Sequence, residues 1–64
     1  MRVAGVAYQI NWKAFKRGAS FFLPCLDTAE AMEDIKGITD RLRYEVLMRD
    51  VIEDGVRGVR TWRV

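Results

Sequence analysis

The chain has 64 residues, half of them hydrophobic and 31% charged, with a net charge of +2, one cysteine and no histidine. That balance belongs to a folded globular chain rather than a disordered one. It excludes an internal disulfide and leaves too few ligands for a structural zinc.

One core and one domain, residues 1–64, are all this length supports, and such a chain buries only about 60% of the surface its unfolded form exposes. Its stability must come from tight packing or from self-association as a homodimer. No apolar run reaches the roughly 20 residues that cross a bilayer. The short apolar stretch after Arg2 lacks the length and cleavage signature of a secretion signal. A cytoplasmic protein is expected.

Residues 3–10 (Val-Ala-Gly-Val-Ala-Tyr-Gln-Ile) are apolar with β-branched and aromatic members and predict a strand. Asn11 breaks the pattern, placed to cap a helical turn over Trp12–Lys16 that Gly18 ends in a left-handed conformation. Ala19–Leu23 reads as a short buried strand stopped by Pro24. Asp27, with Glu30 three residues on, marks a helix start. Met32, Ile35, Ile38 or Thr39, and Leu42 then form one apolar stripe.

The helix is expected over 28–42, with Arg41 and Arg43 suited to its negative end. Gly37, costly inside a helix, is expected to permit close approach to a sheet beneath. Tyr44–Ile52 predicts a strand, Glu53-Asp54-Gly55 a turn, and Val56–Val64 the returning strand, with Gly58 a candidate bulge. The expected fold is α+β, β-β-α-β-β, an antiparallel sheet of about four strands with one helix on one face.

The charges are segregated along the chain. Residues 1–26 hold four bases and no acid, residues 27–54 nine acids against four bases, and residues 55–64 three bases alone. The fold decides whether the two basic ends meet.

Catalytic chemistry finds little to work with, and no enzyme is expected. No histidine is present for proton transfer near neutral pH. Ser20 and Cys25 have no base visible in the sequence. Cys25 lies just before the helix, a position that lowers a thiol pKa, or it is a small buried filler. Glu30, Glu33 and Asp34 match no Ca²⁺ loop spacing and read as a solvated helix face. No metal and no cofactor is expected.

The C-terminal hairpin is the most informative segment. A two-residue Asp54-Gly55 turn sets Glu53 against Val56, Val51 against Gly58, Arg49 against Arg60 and Leu47 against Trp62. Opposed arginines repel, and are kept more readily where an acid or an anionic ligand lies between them. One reading is an anion-binding patch of Arg49 and Arg60 with Trp62 as a stacking surface, and Arg57 and Arg63 on the opposite face. The other is a bulge at Gly58 that separates the arginines and turns Trp62 into the core. Lys13, Lys16 and Arg17, interleaved with Trp12 and Phe15, form a second basic group of the kind single-stranded nucleic acid favours. The other reading, favoured for the rings, has Trp12 and Phe15 anchoring the loop to the core while the cations are solvated.

Trp12 and Phe15, the run Gly18-Ala19-Ser20-Phe21-Phe22-Leu23-Pro24, and the later Arg49-Asp50-Val51-Ile52-Glu53-Asp54-Gly55 and Gly58-Val59-Arg60-Thr61-Trp62-Arg63 resemble a group of small proteins encoded by tailed bacteriophages. No defined activity attaches to that group. The resemblance implies the cytoplasm of an infected bacterium, where such proteins bind nucleic acid or attach to a host enzyme.

Two functions are therefore expected in competition. In the first, DNA or RNA is bound by Arg49, Arg57, Arg60, Trp62 and Arg63 with Lys13, Lys16 and Arg17, phosphate contacts supplying most of the affinity. In the second, the chain binds and inhibits or redirects a host protein of the transcription or defence machinery. That partner would meet the acidic helix face (Glu30, Glu33, Asp34, Asp40), or Val56–Val64 acting as an edge strand.

Overall fold

Two tight turns and one well-capped helix direct the chain in the computed structural model, which describes residues 1–64. The first turn was not legible as such. Residues 3–10 form no continuous strand; Arg2–Val3 (β1) folds back on Val6–Ala7 (β2), pairing Arg2 with Ala7 and Val3 with Val6. Ala4 and Gly5 between them both have positive φ, 51° and 78°, the geometry of a type I′ turn. Alanine tolerates this poorly, and the turn is held by the Ala4 N–H, which donates to Asp34 Oδ2 at 2.8 Å.

After this hairpin comes one 3₁₀ turn, Trp12–Ala14, which Asn11 precedes without a side-chain capping bond. The expected Asn11 cap is absent, while Gly18 does take the left-handed conformation, φ 86°. Trp12 and Phe15 pack inward. Their rings sit 5.7 Å apart, and Phe15 lies 5.0 Å from Phe21 and 6.2 Å from Tyr44. These rings anchor the loop to the core.

Ser20–Pro24 (β3) precedes the helix, Thr28–Arg41 (α1), whose N-cap Asp27 accepts from the Glu30 N–H at 3.0 Å. The helix ends in paired bonds, Arg43 N–H to Asp40 O at 3.1 Å and Tyr44 N–H to Thr39 O at 2.9 Å, with Arg43 at φ 61°. This is a Schellman ending with arginine where glycine is usual. The buried stripe is Thr28, Ala31, Ile35 and Thr39, flanked by half-buried Met32 and Ile38, while Leu42 stays exposed. Gly37 faces open space with nothing within 4 Å of an added Cβ, so it makes no close approach to the sheet.

Val46–Glu53 (β4) and Val56–Arg63 (β5) form the long hairpin, turning through Asp54 and Gly55 at φ 51° and 77°. The register is the one the turn demands, with Glu53 opposite Val56, Arg49 opposite Arg60 and Leu47 opposite Trp62. Pairing is continuous through Gly58, and no bulge shifts it. Gly58 is needed for a different reason. A Cβ there would run into the Leu23 carbonyl oxygen and lie 2.8 Å from Phe22 Cζ.

The fold is α+β with five short strands in two antiparallel sheets, the hairpin β1-β2 and a three-stranded sheet ordered β3-β5-β4. The expected four-stranded sheet divides because the Ala4-Gly5 turn spends the first strand on itself. The C-terminal strand is central, not an edge. Helix α1 covers one face, around a core of Val3, Leu23, Ala31, Ile35 and Val59.

The two glycines predict opposite outcomes in urea unfolding. Gly37→Ala should gain about 1 kcal/mol from helix propensity. Gly58→Ala should lose about 3 kcal/mol, because backbone on the neighbouring strand must move.

Candidate nucleic-acid interface

Strand alternation divides the charges of the hairpin between two faces. Val59 and Thr61 point toward the helix and are fully buried. The intervening positions therefore point to the face that no helix covers. Given the register, that face carries Ser20, Phe22 and Pro24 from β3, Val56, Gly58, Arg60 and Trp62 from β5, and Leu47, Arg49, Val51 and Glu53 from β4. Phe22, Val51 and Trp62 are half-buried, and Leu47 is 47% exposed.

Arg60 is the centre of this face. Its Nε donates to Glu53 Oε2 and its Nη2 to Glu53 Oε1 at 2.6 Å, a bidentate pair. Nη1 donates to Ser20 Oγ at 2.7 Å, and the guanidinium stands 5.7 Å from the Phe22 ring centroid. Glu53 is thus the acid that makes the Arg49–Arg60 opposition tolerable. Arg49 is exposed and takes part in no ion pair. Trp62 lies beside it, across from Leu47 on one side and Ser20 on the other.

Arg57 and Arg63 fall on the other face, as alternation requires, and both are engaged within the chain. Arg57 pairs with Asp50 at 2.9 Å, and Asp50 Oδ2 also accepts from the Thr28 hydroxyl at 3.0 Å. This ties the helix start to β4. Arg63 stacks 3.9 Å over the Tyr44 ring and donates to Phe15 O at 2.9 Å. Neither belongs to the uncovered face, which leaves Arg49, Arg60 and Trp62 as the hairpin candidates found there. Phe22 joins them, a residue missed because sequence alone does not reveal β3's register against β5.

Lys13, Lys16 and Arg17 are exposed and form no ion pairs. The Gly18 N–H donates to Arg63 O at 2.9 Å, and the Arg63 N–H to Ala19 O at 3.0 Å. These bonds hold the basic loop against the Trp62 end of the sheet. Of the acidic helix set, Asp34 supports the Ala4 turn and Asp40 pairs with Lys36 at 2.9 Å, leaving Glu30 and Glu33 exposed and unpaired.

Asp50 and Glu53 both titrate below their ordinary values. The hydrogen bond from Arg57, then that from Thr28, lowers Asp50; the hydrogen bond from Arg60 lowers Glu53. The Cys25 thiol moves the other way, raised first by burial and then by the charges of Asp50 and Asp27. Its place before the helix does not lower it.

No group of three His, Cys, Asp or Glu side chains is placed to hold a metal ion, and no helix is long and apolar enough to cross a membrane. No protein-family model matches the chain, and no curated protein or solved structure matches it.

The two lowered carboxyls give stability a defined acid limb. Their contribution is complete above the ordinary values of 3.8 and 4.5 and is lost as pH falls through the lower folded-state values. The thermal midpoint should hold from neutral pH down to that range and then drop. Asp50→Asn with Glu53→Gln should lower the neutral-pH midpoint and flatten the acid limb, as scanning calorimetry across pH would show.

Proposed function

We propose that the protein is a non-catalytic binding module that takes single-stranded DNA or RNA on the uncovered face of its three-stranded sheet. The observation that carries this reading is the company Trp62 keeps. Two aromatic rings, Trp62 and Phe22, share an open sheet face with Arg49 and Arg60, and a loop bearing Lys16 and Arg17 adjoins the Trp62 end.

Rings offer stacking surfaces to bases, while cations track the phosphates. Glu53, the only acid on that face, is occupied by Arg60. The acidic helix packs on the opposite face, away from a phosphate backbone laid across the sheet. Nothing on the face is arranged to read base edges, so weak sequence preference follows. The resemblance to bacteriophage proteins, carried by the same segments, supplies a setting: nucleic acid in an infected bacterial cytoplasm.

A host-protein partner is the weaker reading. Val56–Arg63 is a central strand and offers no edge. Asp34 and Asp40 are engaged within the chain, so the acidic surface reduces to Glu30 and Glu33.

Fluorescence anisotropy against labelled single strands and duplexes, at about 50 and 200 mM salt, tests the proposal. Single strands should bind better, and binding should weaken sharply with salt. Trp62→Ala should cost about 1–3 kcal/mol of binding while the circular dichroism spectrum stays unchanged. Arg49→Ala should reduce the salt slope by about one, with Arg41→Ala, on the helix, close to wild type. Absence of binding at low salt would exclude this function, and equal losses from Arg49→Ala and Arg41→Ala would exclude this face.

A further inference from the structure

Strand β4 is an open edge. The order β3-β5-β4 leaves its outer side facing solvent, and no turn, loop, cap or side-chain hydrogen bond reaches the backbone of residues 46–53. Counting from the tight Asp54-Gly55 turn, Glu53, Val51, Arg49 and Leu47 direct their N–H and C=O groups to β5. Ile52, Asp50, Met48 and Val46 direct theirs outward. The strand runs eight residues with no proline and no bulge, the kind of edge that proteins otherwise blunt or cover. The far edge of the sheet differs. There Pro24 has no N–H, and its carbonyl accepts from the Tyr8 hydroxyl at 2.6 Å.

We infer that β4 pairs antiparallel with β4 of a second copy of this chain, about a two-fold axis at Val51, joining the two sheets into one of six strands. Charge and the length of paired strand together select the partner and the register. An axis perpendicular to the sheet keeps faces matched, so only registers centred on a residue are allowed. Centring on Arg49 or on Asp50 sets like charges opposite each other, and centring on Met48 sets Arg49 against Leu47. Centring on Leu47 sets Arg49 against Glu45 but pairs only Val46–Met48 of each β4 strand, against Arg49–Glu53 for a Val51 centre. Centring on Val51 sets Arg49 of each copy opposite Glu53 of the other, on the uncovered face. Arg49, unpaired within the chain, then gains an acid.

The same register makes Asp50 and Ile52 outward-facing partners that exchange main-chain hydrogen bonds across the axis. It also sets the Ile52 side chain, 71% exposed in the single chain, beside the second copy. A core with only 10 of 64 residues buried has good reason to add such a contact. The two uncovered faces lie on one side of the joined sheet. Each cluster of Arg49, Arg60 and Glu53 keeps a net positive charge, so the pairing coexists with an anionic ligand.

Sedimentation equilibrium of the full chain, from about 5 to 500 µM, tests the pairing. Wild type should reach twice the chain mass. Arg49→Glu should raise the dimer dissociation constant roughly tenfold or more, since two attractive cross-strand pairs become repulsive. It relieves the Arg49–Arg60 opposition within the chain, so loss of the dimer would not reflect loss of the fold, which circular dichroism checks. The double variant Arg49→Glu, Glu53→Arg restores complementary pairs and should dimerise again. A wild-type chain that stays monomeric overturns the inference, as does a dimer that Arg49→Glu leaves intact or that the double variant fails to recover.

Discussion

Much of this structure depends on the two-residue turn at Asp54-Gly55. Both residues hold positive φ, which matches the natural twist of two strands and allows no slack in their pairing. Side chains alternate strictly along a strand, so a slip of one residue would exchange the two faces. The turn thereby decides that Val59 and Thr61 meet the helix while Arg60 and Trp62 do not. The make-up of the uncovered face is a consequence of that register.

The register also creates an electrostatic problem and sets the terms of its solution. Arg49 and Arg60 stand directly opposite each other. Glu53 lies on the same face further along β4 and holds Arg60 through two parallel hydrogen bonds, the strong fork geometry of guanidinium and carboxylate. On the covered side, Asp50 engages Arg57 and Thr28 together, joining β5, β4 and the helix start. The basic C-terminal segment is therefore sorted into braces and free charge. Arg57 and Arg63 are braces, Arg60 is held in place on the open face, and Arg49 is free.

The one helix covers one face of the three-stranded sheet and braces the β1-β2 hairpin, and nothing is left to cover the other face. The remaining face keeps half-buried rings at its surface, and the β4 edge keeps unpaired backbone groups. In a larger protein, further elements would cover both. The uncovered face and the bare edge are the surfaces on which the proposed ligand and the proposed second chain would sit, and because they adjoin, Arg49 belongs to both.

The sequence by itself determined the local elements whose causes are local. Asp27 and Glu30 announced the helix start, Asp54-Gly55 announced the hairpin, and the single helix implied an α+β fold. The hairpin's register stayed open between regular pairing and a bulge at Gly58 until the strands were seen to pair without a break. What escaped depended on neighbours distant in the chain. Ala4-Gly5 folds into a turn because Asp34, thirty residues later, receives the Ala4 N–H. Gly58 is required by the Leu23 backbone and the Phe22 ring, which no pattern around residue 58 reveals. The central place of β5 and the presence of Phe22 on the uncovered face were settled only when β3 came to lie against β5. Local chemistry chooses turns and caps, whereas strand order and charge pairing are collective choices, made when the whole core closes.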